Sequence, residues 1–162
     1  AVGRLVEPGD LYCCLGTTLR KAGSPAAFRA VDLDMPLALL RAVPDPSRTR
    51  LFLVSSAGAD ARSAFLYSRV KGELEAAAAA LPFKAVHIAR PRLLLGPRAE
   101  SRPAEALAQA LSPWVSWLLP ARLRPIAAET VARALVGLAE SGQDGVHIHE
   151  SDALAALRGS EA

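Results

Sequence analysis

The chain has 162 residues, 51% of them hydrophobic and 22% charged, which suits one domain with a full core. Nineteen basic residues oppose sixteen acidic ones, all but three of the basic residues are Arg, and none form the clustered face that nucleic-acid binding needs. No apolar run reaches the 18 residues or so of a membrane-spanning helix, so neither nucleic acid nor membrane is an expected partner.

The first apolar run predicts a strand over 11–15. It contains Cys13 and Cys14, whose side chains alternate across a sheet and are expected as buried free thiols. Lacking C-x-x-C spacing, they specify neither a zinc site nor a disulfide framework, and reduced thiols suggest a cytoplasmic setting. Gly16-Thr17-Thr18 follows, small residues that let backbone N–H groups face a phosphate or ribose, or else an ordinary turn. Residues 25–43 pattern as a helix, with Ser24 as N-cap and Pro25 in the first position. Pro36 inside that stretch predicts a kink or break.

Leu51-Phe52-Leu53-Val54 is continuously apolar, as in a strand covered on both faces of a parallel sheet. The strand, predicted over 50–55, closes in Ser55-Ser56. A polar loop at 58–63 leads to a helix over 64–81 rich in strong helix formers. Tyr67 and Lys71 lie four apart on one face of it. A cation near the phenol favours phenolate, which makes Tyr67 a usable general acid or base. Serine hydroxyls at the strand end, Ser56 or its neighbour Ser55, are suited to hold a substrate carbonyl oxygen beside it. An exposed Tyr beside a Lys is the structural alternative.

A third buried strand is predicted over 84–89, followed by Arg90-Pro91-Arg92-Leu93 and Gly96-Pro97-Arg98. Arg98 and Arg102, with Glu100 between them, suit an anionic substrate or cofactor phosphate, or a solvated loop with internal ion pairs. Residues 104–119 are rich in Ala, Leu and Trp. Apolar positions Val131, Leu135 and Leu138 give 128–140 the spacing of a surface helix. A last strand, 146–149, carries His147 and His149 on one face. Two such imidazoles suit a metal, but no third ligand is assigned, and paired surface histidines at a strand end are the expectation; no metal is expected. Ser151-Asp152 is expected to cap a short final helix. Strands alternating with helices predict an α/β domain, doubly wound around a parallel sheet.

The order of strand, serines, Tyr/Lys helix, strand and Arg-Pro resembles the short-chain dehydrogenase/reductase superfamily. Within it, the chain resembles the atypical branch of Tat-interacting-protein-like and nucleoside-diphosphate-sugar-epimerase-like proteins. Carrying that likeness are Cys13 to Thr18, Ala22-Gly23-Ser24, Phe28 to Asp32, Val54 to Asp60, Tyr67 to Glu73, and Arg98 to Pro103. The resemblance implies an NAD(P)-binding Rossmann-like domain over 1–162 that uses NAD or NADP. Tyr67 would exchange a proton with the substrate oxygen, Ser56 would bind that oxygen, and Lys71 would assist Tyr67 and hold the nicotinamide ribose. Leu15, Gly16, Thr17, Ser55, Tyr67, Lys71, Pro91 and Leu93 would line the cofactor, and Arg98 and Arg102 would meet a small-molecule substrate.

Two departures follow. Many relatives carry an Asn in the helix after the first of these strands; this chain has no Asn, and Asp32 stands in the comparable stretch. The sequence also holds no G-x-G-x-x-G, the turn that cradles a dinucleotide pyrophosphate. The expectation is thus the later portion of the domain without its first βαβ unit, binding cofactor weakly, with an exposed sheet edge covered by a second copy or another partner. An oxidoreductase or epimerase-like enzyme and a non-catalytic, nucleotide-sensing or protein-interaction member of the fold both remain open.

Overall fold

The computed structural model describes residues 9–92, 94–95 and 125–157. Four strands form one parallel sheet: β1 (Asp10–Cys13), β2 (Arg50–Val54), β3 (Ala85–Arg90) and β6 (Gly145–Glu150), in the order β1-β2-β3-β6. A separate parallel pair joins β4 (Leu94–Leu95) to β5 (Ile126–Ala127). The expected parallel α/β architecture is what the chain adopts, with strand limits within two residues of those read from the apolar runs.

Alternation along β2 and β3 divides the core in two. Leu51, Leu53, Val86 and Ile88 face Phe28, Leu33, Leu40, Val70, Leu74 and Ala78. These come from α2 (Pro25–Arg29), α3 (Met35–Arg41), the segment between them, and α4 (Leu66–Ala79). On the opposite face Phe52 and Ala89 meet Val131, Ala134, Leu135 and Leu138 of α5 (Ala128–Ser141) and Leu154 of α6 (Ser151–Ala156). Covering both faces explains why β2 reads as an unbroken apolar run. A one-turn helix α1 (Leu19–Ala22) precedes α2, capped by Thr18.

Ser24 caps α2 as predicted, its Oγ accepting from the Ala27 N–H at 3.1 Å. The break attributed to Pro36 lies just upstream of it. Residues Ala30–Asp34 form a π-helical turn, in which the Met35 N–H reaches the Ala30 carbonyl five residues back. Pro36 has no N–H for the Asp32 carbonyl, and its ring would crowd that carbonyl in a regular α-helix; widening the turn relieves both problems.

Three local expectations are corrected. Strand β1 ends at Cys13, where its pairing with Leu53 stops, so Cys13 is buried but Cys14 is exposed. The N-cap of α6 is Glu150, without a side-chain bond; Ser151 lies inside the helix and is buried. Nor do His147 and His149 form a simple surface pair: both are half-buried, and His149 bonds to the fully buried His87.

Candidate functional site

Parallel strands point their carboxyl ends the same way, and the loops that leave those ends form the natural ligand crevice of such a sheet. Here β1 delivers Leu15, Gly16 and Thr17, β2 delivers Ser55 and Ser56, and β3 delivers Pro91 to that edge.

Asp32, in the π-helical turn, organises the first of these loops. Its Oδ2 accepts a hydrogen bond from the Thr17 N–H at 2.8 Å, and its Oδ1 lies 2.7 Å from Lys71 Nζ. Both side chains of the ion pair are out of water, at 0% and 5% exposure. A Cβ on Gly16 would come within 3.2 Å of both Asp32 Oδ1 and Lys71 Nζ, so glycine lets the loop lie directly over the pair. Gly16, Thr17, Asp32 and Lys71 are thus one cluster linking the loop after β1 to helix α4.

Tyr67 is in the first turn of α4, one turn before Lys71. Its ring packs on the buried Phe28 at 5.7 Å between centroids and 29° between planes, while 36% of the residue stays exposed. It is not a core tyrosine. Ser55 is anchored by its N–H to the Ala89 carbonyl at 2.8 Å, and its buried Oγ has no hydrogen-bond partner among the described residues. Among the described residues, Ser56 Oγ makes only a long 3.4 Å contact with the Ala57 carbonyl. The Ala57 N–H donates to the Pro91 carbonyl at 3.0 Å, tying the serine loop to the end of β3. No hydrogen bond joins Tyr67 to either serine among the described residues.

Gly72 sets the height of this loop over α4. A Cβ there would lie 2.2 Å from the Ala61 nitrogen and 2.4 Å from the Asp60 carbonyl carbon, so only glycine allows so close an approach. The Asp60 N–H donates to the Ser68 carbonyl at 3.0 Å across the same contact. Beneath the site, Arg90 bonds the buried Glu75 of α4 through Nη2 at 2.6 Å and Glu150 through Nη1 at 3.1 Å, joining α4, β3 and β6. Those carboxylates hold the guanidinium firmly protonated. Leu93, Arg98, Arg102 and the stretch 104–119 lie outside the described residues.

Sequence reasoning treated Asp32 only as a replacement for Asn, although the structure makes it the hub of the cluster. The signal was partial: Pro36 orphans the Asp32 carbonyl and disturbs the helix at that residue, here by widening the turn, and π turns recur at functional sites.

No family model matches the chain. It is 37% identical over 140 residues to the protein FMP52, mitochondrial, of Candida albicans, covering 84% of this chain and 61% of that one. Identity is 43% over 102 residues with fmp52, mitochondrial, of Emericella nidulans, covering 63% and 44% of the two chains. With HTATIP2 of Rattus norvegicus it is 46% over 98 residues, covering 60% and 40%. The chain therefore spans about half the length of these relatives. Among solved structures, RMD from Pseudomonas aeruginosa complexed with NADPH matches at a TM-score of 0.59 with 18% identity, covering 86% of this chain and 58% of that one. UDP-glucuronic acid 4-epimerase from Bacillus cereus with NAD matches at 0.59 with 12% identity, covering 92% and 56%.

The expected cytoplasmic setting is overturned by these names, since the fungal relatives are called mitochondrial. Free thiols report a reducing environment and do not distinguish one reducing compartment from another. Among the described residues no helix is long and apolar enough to cross a membrane, and no cluster of three or more ligating side chains is arranged for a metal. Sequence relatives and structural neighbours agree with the parallel sheet: the chain carries a short-chain dehydrogenase/reductase-like, Tat-interacting-protein-like Rossmann fold.

Proposed function

We propose that this chain carries the substrate-side chemistry of an NAD(P)-dependent oxidoreductase or epimerase acting at a carbonyl or secondary hydroxyl. The observation that carries the reading is the buried Ser55 Oγ, which has no hydrogen-bond partner among the described residues and stands at the same carboxyl edge of the sheet as Gly16, Thr17 and Pro91. A buried hydroxyl left unpaired costs about 1–3 kcal/mol, and a ligand oxygen or water would satisfy it.

Structural neighbours in complex with NADPH or NAD support a nicotinamide dinucleotide as the cofactor. Lys71 Nζ is the candidate donor to its ribose, and Gly16 packs directly on that ammonium, where a Cβ would fall 3.2 Å from it. When bound, the nicotinamide supplies or accepts the hydride. Tyr67 delivers a proton to the substrate oxygen in the reductive direction and removes it in the oxidative one. Ser56, or Ser55 beside it, donates a hydrogen bond to that oxygen and orients it. Asp32 steadies Lys71 and, through the Thr17 N–H, the loop above it.

One observation favours a second reading. The Lys71 charge is already shared with Asp32 at 2.7 Å, which competes with any action on the Tyr67 phenol. A member that binds nucleotide without turnover is consistent with this pairing. Incubation with NADPH or NADH and panels of aldehydes and ketones, and with NAD+ or NADP+ and panels of secondary alcohols and nucleotide sugars, separates the two. Turnover that collapses in Tyr67→Phe supports the enzyme. Calorimetric binding without turnover supports the sensor, and turnover unaffected by Tyr67→Phe removes the catalytic assignment.

A further inference from the structure

All three histidines of the chain meet on the sheet face opposite α4. The register sets His87 beside His147 and Ala89 beside His149. Rings continue across the sheet: Tyr12 lies 4.8 Å from Phe52, Phe52 5.0 Å from His87, and His87 5.2 Å from His147, between centroids.

The hydrogen bonds define the tautomers. His87 Nε2 lies 3.2 Å from the Gln143 carbonyl, which can only accept, so Nε2 carries the proton. His87 Nδ1 then accepts from His149 Nε2, 3.2 Å away. With 5.4 Å between centroids and planes within 18°, the two rings sit edge to edge around this single N–H···N bond. A proton added at His149 Nδ1 leaves that bond intact. A proton added at His87 Nδ1 sets two N–H groups head-on and breaks it.

We propose that the His87–His149 pair is an acid-sensitive latch that holds β6 and α6 against β3, closed with no more than one added proton and open with two.

The surroundings favour the neutral, closed form. From β2, the Arg50 guanidinium opposes a further positive charge, and its natural counter-ion, Asp10 of β1, is already paired with it at 2.6 Å. Tyr12 of β1 and Phe52 of β2 present rings. From β6, His147 adds repulsion when charged, and its Nε2 is spent on the Asp144 carbonyl at 2.9 Å. The Asp144 carboxylate faces Lys84 at 3.8 Å. At the carbonyl end of α5, which would attract a cation, the Leu138 carbonyl is bonded by Ser141 Oγ and the Ala139 carbonyl by Arg50; Glu140 acts on Tyr12. From α6 and the residue after it, Ala153, Ala156 and Leu157 bring no charge.

Burial, first, lowers the proton affinity of both His87 and His149; His147 and Arg50 add repulsion at His87, and His87 and His147 add it at His149, while the Gln143 carbonyl and Asp10 oppose the shift at His87. Groups whose folded proton affinity is depressed contribute stability above the unfolded pKa of about 6.5, and that contribution is lost as pH falls below it. His149 also lines an open cavity of about 400 Å³ with Gly137, Ser141 and Gln143, which gives a charged ring access to water. The side-chain tie between the ends of β3 and β6, Arg90 to Glu150, is exposed on its acidic side and adds little.

Amide hydrogen exchange in the whole chain tests the latch. Exchange of residues 146–150 is compared with that of 50–54, corrected for intrinsic rates, at about pH 7.5 and about pH 5.5. Wild type should lose relative protection at 146–150 by at least roughly tenfold on acidification. His149→Gln keeps a donor for His87 Nδ1 but cannot titrate, and should lose less than about threefold. His147→Gln should behave as wild type. Equal protection at both pH values in wild type, or an equally steep loss in His149→Gln, overturns the proposal. Should a variant fail to fold, imidazole NMR of wild type decides. Coupled, stepwise titration of His87 and His149 below the ordinary range supports the latch, and independent titration within that range overturns it.

Discussion

Lys71 Nζ lies 2.7 Å from Asp32 Oδ1, and neither side chain reaches solvent. This pair joins the π-helical turn to α4 and sits beneath Gly16. It also decides how Lys71 acts: its charge is balanced inside the protein. Tyr67, one turn away, rests on Phe28.

Breaking the pair from one side should be severe. Asp32→Ala leaves a buried ammonium uncompensated and should destabilise the chain by about 3–5 kcal/mol in urea unfolding. Replacing both partners by apolar residues, as in Asp32→Leu with Lys71→Met, should recover most of that loss, because no buried charge remains. A double variant no more stable than Asp32→Ala would mean that Asp32 acts chiefly through the Thr17 N–H.

At Gly72 two effects oppose. Gly→Ala in a helix normally stabilises by about 0.5–1 kcal/mol. Here the new Cβ would fall 2.2 Å from backbone nitrogen, which no rotamer change relieves. The clash should win: Gly72→Ala should destabilise by about 1–3 kcal/mol, the usual range for overpacking. A neutral or raised unfolding midpoint would show that loop 58–63 yields freely.

Tyr67→Phe separates chemistry from packing. The ring and its contact with Phe28 survive, so the unfolding midpoint should hold within about 0.5 kcal/mol. Turnover, once a substrate is found, should drop by about 10²–10⁴, the usual contribution of a positioned proton donor. A loss of stability with unchanged turnover would mark Tyr67 as structural.

The two thiols should separate by accessibility. Cys14 is exposed and Cys13 buried, and burial raises both thiols above the ordinary range. Iodoacetamide at neutral pH should therefore label slowly, with Cys14 ahead of Cys13 by at least about tenfold, since Cys13 requires local opening. Peptide mass spectrometry gives both rates, and equal labelling would mean that β1 opens readily.

For cofactor affinity, the 162-residue chain itself holds no G-x-G-x-x-G. Ribose contacts at about 1–2 kcal/mol each must first offset an association cost of at least about 4 kcal/mol. Calorimetry of this chain with NADPH and NADH should find weak binding. Low-micromolar affinity would point to another phosphate cradle.

The linear order of residues determined the four strands of the main sheet and the placement of Tyr67 and Lys71 on one helix face, but not the short β4–β5 pair. Apolar runs such as Leu51 to Val54 and a four-residue spacing are local patterns, written by the same periodicities that build sheets and helices. Asp32 could be read as a residue but not as a partner, because Lys71 is distant in sequence and reaches it only when α4 packs on the π-helical turn. The same holds for His87 and His149, neighbours only because β6 pairs with β3. What a charge or an imidazole does depends on which group stands within about 3 Å of it once water is gone. That proximity arises from packing of distant segments, and only the tertiary structure decided it.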